Sequence, residues 1–74
     1  MATSYSRRHG AYQYDIQVLE DAENSRYVAT LVNMVRVEAG DMISVDSELH
    51  DEYGATQAEA FAKLEAAIKK WLPL

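Results

Sequence analysis

His50 stands among Asp46, Glu48, Asp51 and Glu52, the one place in this chain where metal-ligating side chains crowd. In an extended strand, residues two apart share a face, so Asp46, Glu48 and His50 could together offer a weak site to a divalent cation. Two carboxylates and an imidazole also coincide often in acidic chains, and a metal site is defined by ligand geometry. The solvated end of an acidic strand is the expectation, with a small metal-dependent enzyme kept as the third reading. Ser44, Ser47, Asp46 and His50 include the residue types of a nucleophile, a base and an orienting acid. Their spacing matches no recognisable arrangement, and a triad is defined by mutual geometry. The chain has no glycine-rich phosphate loop, no HExxH and no CxxC. Arg7-Arg8-His9 could touch phosphate, although so short a basic run is more often a solvated terminus. Catalysis is not expected, and neither a cofactor nor a metal is assigned.

The elements that must position these residues are short. Seventy-four residues make one domain near the lower limit for a self-sufficient core. There is no cysteine, so no disulfide or thiolate metal site supplements that core, and an oligomer is one way to find the missing burial. No apolar run is long enough to span a membrane, and the arginines near the N-terminus are not followed by a signal-like apolar stretch. A cytoplasmic location is the default expectation.

The plainest element is a helix over residues 56–72. Thr56 and Glu59 make the capping box S/T-x-x-E, and Lys69 and Lys70 sit at the negative end of the helix dipole. Pro73 is expected to stop the helix, because it has no N–H to donate. Ala60, Phe61, Leu64, Ile68, Trp71 and Leu72 fall on one apolar stripe, with Phe61 and Trp71 expected as its heaviest core groups. Upstream, residues 12–19 alternate as a strand, and residues 27–37 read as a long central strand, bent or bulged near Asn33. Residues 42–49 read as a third strand after a tight turn at Glu38-Ala39-Gly40-Asp41. Residues 20–25 read as a polar connection between the first two strands, containing Asn24, a residue that tolerates left-handed turn geometry. Residues 1–10 read as a flexible tail, and residues 11–74 as a single α+β domain. The fold expected is a three-stranded antiparallel meander with one C-terminal helix across one face, β-β-β-α.

Charge is unevenly placed. Eleven of the twelve carboxylates lie in residues 11–59, against only Arg26 and Arg36, and the formal net charge is −5. Such a middle repels nucleic acid and attracts a basic protein; acidity also serves solubility. If Tyr14, Ile16, Ile43 and Val45 face the helix, then Gln13, Asp15, Gln17, Ser44, Asp46 and Glu48 face away from it. The outer face is thus expected to be polar and acidic, and Asp15, Asp46, Glu48, Asp51 and Glu52 are the residues assigned to a basic partner. Leu19, Met34 and Met42 are left over on that face or on a strand edge, which leads to the expectation of a homodimer.

Gly54-Ala55-Thr56-Gln57-Ala58-Glu59-Ala60, opening a helix that closes on Trp71-Leu72, resembles the G-x-T-x-x-E-A junction of the HicB-like antitoxin domain. The strand openings Tyr14-Asp15-Ile16 and Tyr27-Val28-Ala29-Thr30 are similar too, so the resemblance runs from Tyr12 to Leu72. Two departures stand out. Residues 33–53 are longer than the family's Pro-Gly-Cys-like link and lack it, and the family's further strand and DNA-binding segment would lie beyond Leu74. The resemblance implies a partial RNase-H-like fold, and a non-catalytic antitoxin-like module that covers a small basic, mRNA-cleaving toxin. Direct binding of nucleic acid is not expected. The alternative reading is a phage or mobile-element inhibitor that imitates nucleic-acid charge.

Overall fold

Tyr14, Ile16 and Val18 alternate with Asp15 and Gln17, and period-two patterning of this kind puts the apolar set on one sheet face. The computed structural model describes residues 2–72. Five strands, β1 (Ala2–His9), β2 (Tyr12–Asp21), β3 (Arg26–Glu38), β4 (Asp41–Ser44) and β5 (Glu52–Gly54), precede one helix, α1 (Gln57–Trp71). A 3-10 turn at Ala22–Asn24 joins β2 to β3. The sheet is antiparallel in the order β1-β2-β3-β4, and β5 also pairs with β3. The class is the α+β expected, with more strands than the sequence suggests. Among the described residues no helix is long and apolar enough to cross a membrane.

Two strand expectations need correction. Residues 2–9, read as a tail, form β1 and pair with β2 from Ala2 opposite Leu19 to His9 opposite Tyr12. The strand expected over residues 42–49 stops at Ser44; the chain then leaves the ladder and rejoins β3 as β5. One cause is on β3 itself. Asp15 pairs with Asn33 but Ile16 pairs with Leu31, so Val32 is an extra residue, a bulge next to the expected site at Asn33. Beside this irregularity only Val45 holds on, its N–H donating to the Met34 carbonyl at 2.9 Å.

The turns show where the backbone is constrained. In the connection between β2 and β3 the left-handed residue is Ser25, next to Asn24, with φ 51°. The side chains of Asn24 and Arg26 hold the Asp21 carboxylate, each at 3.0 Å, and these bonds keep its pKa below the ordinary value. Between β3 and β4 the two-residue loop has φ 52° at Ala39 and 83° at Gly40, the positive pair of a type I′ turn. Alanine at such a φ carries about 1 kcal/mol of strain. Replacing Ala39 with asparagine gives the preferred Asn-Gly pair. Ala39→Asn is expected to stabilise the protein by about 0.5–1 kcal/mol, read as a rise of a few degrees in Tm.

The core lies between the sheet and α1. Tyr14, Ile16, Val18, Ala29 and Met34 from the sheet meet Ala60, Leu64, Ile68 and Leu72 from the helical stripe, all buried. Tyr12, Phe61, Leu31, Val45 and Leu49 pack partly against them. Three expectations change here. Met34 is core rather than a leftover surface group, Ile43 is exposed, and Trp71 is 41% exposed rather than a central core side chain.

The helix start follows the capping-box reading. Thr56 Oγ1 accepts from the Glu59 N–H at 3.1 Å, and the Glu59 carboxylate accepts from the Ala55 N–H at 3.4 Å. At the other end the Leu72 N–H donates to the Ile68 carbonyl. Pro73, expected to stop the helix, lies outside the described residues.

Candidate functional site

Four of the five carboxylates assigned to a partner lie along one side of the molecule. β4 and β5 pair with the same edge of β3, and residues 45–51 run between them. Asp46, Glu48 and Asp51 are exposed on that connection, and half-buried Glu52 begins β5 opposite Ala29. The burial pattern preserves the alternation seen in the sequence even without ladder pairing. Val45 and Leu49 tuck against the core while Asp46, Glu48 and His50 are exposed. Glu38 and Asp41 continue the acidic side at the β3–β4 hairpin. The basic side chain nearest in the ladder, Arg36, is bound to Glu38 at 2.6 Å.

Asp15 does not join this group. It lies on β2, pointing to the sheet face away from α1, where it accepts a hydrogen bond from Ser6 Oγ at 2.7 Å. The outer face is also not the acidic surface expected, since Asp46 and Glu48 lie beyond the strands. Among the described residues no three His, Cys, Asp or Glu side chains gather as a metal-holding group, so Asp46, Glu48 and His50 do not converge.

A pocket of about 520 Å³ opens between the end of α1 and β4, lined by Tyr12, Trp71, Ile43 and Val45, with Arg36, Ser44 and Asp46. Its walls are aromatic and aliphatic, and its cation is already engaged by Glu38. It can hold an apolar group. Sequence reasoning missed this pocket because it assigned Trp71 to the interior. The available signal was position, since Trp71 is in the last helical turn, where the sheet beneath is narrowing to the β3–β4 hairpin.

A part-buried polar link joins β2 to α1 at the edge of the core. Tyr14 Oη donates to Glu65 Oε2 at 3.0 Å, and Arg7 and Lys69 lie 3.8 and 3.9 Å from the same carboxylate. Arg7 also stands 5.0 Å over the Phe61 ring, which packs on Tyr5 at 4.5 Å. The Arg7 side chain thus ties β1 to α1 instead of waving in a tail. Burial, the bond to Glu65 and then the Glu65 charge push the Tyr14 phenol from 10.0 to about 12. A raised pKa means that the fold favours the neutral phenol. Its stabilisation is whole below pH 10 and is lost as pH rises from 10 through about 12. Against Tyr14→Phe, the wild-type protein is expected to lose about 2–3 kcal/mol more stability across that interval, measured by denaturant titration at each pH. Parallel profiles for the two proteins would mean that Tyr14 ionises freely in the fold.

No family model matches this chain, and no curated protein or solved structure gives a significant match.

Proposed function

We propose that this chain is a non-catalytic protein-binding module, antitoxin-like, whose acidic side occludes a basic nucleic-acid-handling protein such as an mRNA-cleaving toxin. The observation that carries the reading is the segregation of charge. Asp41, Asp46, Glu48, Asp51 and Glu52 follow one another along the β4–β5 side, and the cations beside them are engaged, Arg36 by Glu38 and Arg26 by Asp21 and the Tyr53 ring. The segment that bears them is held at both ends by β3 and pinned by Val45 and Leu49, so its carboxylates are displayed on a fixed support. A field of one sign on a fixed support steers a partner of the other sign and fixes its approach. The toxin-directed part rests on the sequence resemblance at residues 54–60. Asp15, held by Ser6 on the opposite sheet face, is left out of this surface.

Affinity purification from the native cell, followed by binding kinetics on whatever co-purifies, tests it. The double variant Asp46→Lys, Glu48→Lys is expected to keep the fold and slow association about tenfold or more, with a steep loss of rate as salt is added. Reversing Lys63 and Lys70, on the exposed side of α1, is expected to matter far less. Wild-type association by the double variant, or binding indifferent to salt, would rule out the acidic side as the contact.

A further inference from the structure

The sheet has a second face that α1 does not cover, and its chemistry differs from that of the rest of the chain. Register places Leu19, Val28, Val35, Val37 and Met42 there, interspersed with serine, threonine and glutamine. Among the described residues, four of the six large apolar side chains that stand exposed belong to it: Leu19, Val32, Met42 and Tyr53. Its charged residues are Arg8, Asp15, Asp21 and Arg26, which sum to zero on a chain of net charge −5. Each of the four is already engaged within the face. Ser6 donates to Asp15, Arg26 pairs with Asp21 at 3.0 Å, and Arg8 Nε donates to the Gly10 carbonyl at 3.2 Å. The face is therefore balanced in formal charge, with Asp21 and Arg26 ion-paired and Asp15 and Arg8 each holding one hydrogen bond to a neutral group. Depletion of net charge with exposed aliphatic groups is the composition of an interface core.

We infer that this face is where two copies of the chain stack, sheet on sheet, with the helices outermost. A second copy fits better than a basic partner because the surface has no net charge to offer such a partner. The acidic β4–β5 sides of two copies repel one another, and here neutral meets neutral. Shape agrees with the same reading. Val32, pushed out by the bulge and 61% exposed, stands beside a shallow depression lined by Ser4, Ser6, Asp15 and Gln17, a knob and a hole on one self-complementary surface. Strands spaced about 4.8 Å apart, with β3 the longest at 13 residues, give a face on the order of 600–800 Å². A partner in a standard interface contributes roughly 800 Å². This inference stands apart from the acidic β4–β5 side, which the stacking leaves open.

Sedimentation equilibrium of the wild-type chain, Val32→Glu, Leu19→Glu and the helix control Ala62→Glu tests it, with near-ultraviolet circular dichroism confirming each fold. The wild type and the control are expected to be dimers. Each of the two face variants is expected to raise the dimer Kd about a hundredfold, because a charge would be buried there without a partner. Should Val32→Glu disturb the bulge and lose the native spectrum, Leu19→Glu decides alone. A wild-type monomer at millimolar protein overturns the inference, including a monomer that joins only a different protein. So does a dimer whose Kd neither face variant changes, since the contact would then lie elsewhere, the open edge of β1 first.

Discussion

Gly54→Ala is expected to cost about 3 kcal/mol or more, a large part of the total stability of a domain this size. Gly54 is buried at the end of β5, where the chain turns to start α1. A Cβ placed there would meet the Ala60 backbone nitrogen at 2.5 Å, and the Glu59 carbonyl carbon and Cβ each at 2.9 Å. These atoms belong to the first turn of the helix and cannot swing aside as a side-chain tip could. To admit the methyl group, α1 must lift from β5, and its buried Ala60 must leave the core with it. Urea denaturation checks this. The midpoint of Gly54→Ala is expected to fall steeply, whereas Gly40→Ala meets open space and carries only the strain of φ 83°. Equal midpoints for wild type and Gly54→Ala would mean that the helix start is far looser than the packing described.

The same junction shows what the sequence could and could not reveal. The helix was legible because its signals are local: a capping threonine, a glutamate three residues on, a 3.6-residue stripe and lysines at the end. The bulge was half legible, since the alternation of β3 visibly changes hand near Asn33, although the extra residue is Val32. What the chain owes to distant contacts was not legible. The inward positions of β1 are Thr3, Tyr5, Arg7 and His9, too polar to announce a strand. They are covered from residues far away, as when Gln57 donates to the Tyr5 hydroxyl at 2.7 Å. The end of β4 at Ser44 had no breaker to mark it either, because the alternation of residues 42–49 runs straight on.

The candidate site divides along the same line. Asp46, Glu48 and Asp51 are exposed as read, because alternation with Val45 and Leu49 is a local property. Grouping them with Asp15 assumed one continuous outer sheet face, and the departure of residues 45–51 from the ladder removes that assumption. The consequence runs in both directions. Once the carboxylates have moved to the side of the molecule, the face they were assigned to becomes nearly uncharged, and two separate surfaces replace one.

Leu64→Ala is expected to cost about 2–5 kcal/mol, with Trp71→Ala costing only about 1 kcal/mol. Volume in the sequence suggests the reverse, since tryptophan is the largest side chain on the stripe. Exposure decides otherwise. Leu64 is fully buried at the middle of α1, in the one cluster that α1 shares with the sheet, so its removal leaves a cavity that the rigid sheet cannot close. Trp71 is 41% exposed at the last turn and lines an open pocket, so water replaces it without a void. Because Trp71 is the only tryptophan, its variant must be followed by far-ultraviolet circular dichroism rather than by fluorescence. A Leu64→Ala protein as stable as wild type would mean that α1 does not seat on the sheet through this stripe. A Trp71→Ala protein that fails to fold would mean that the pocket at the helix end closes in solution, with the indole ring as part of the core.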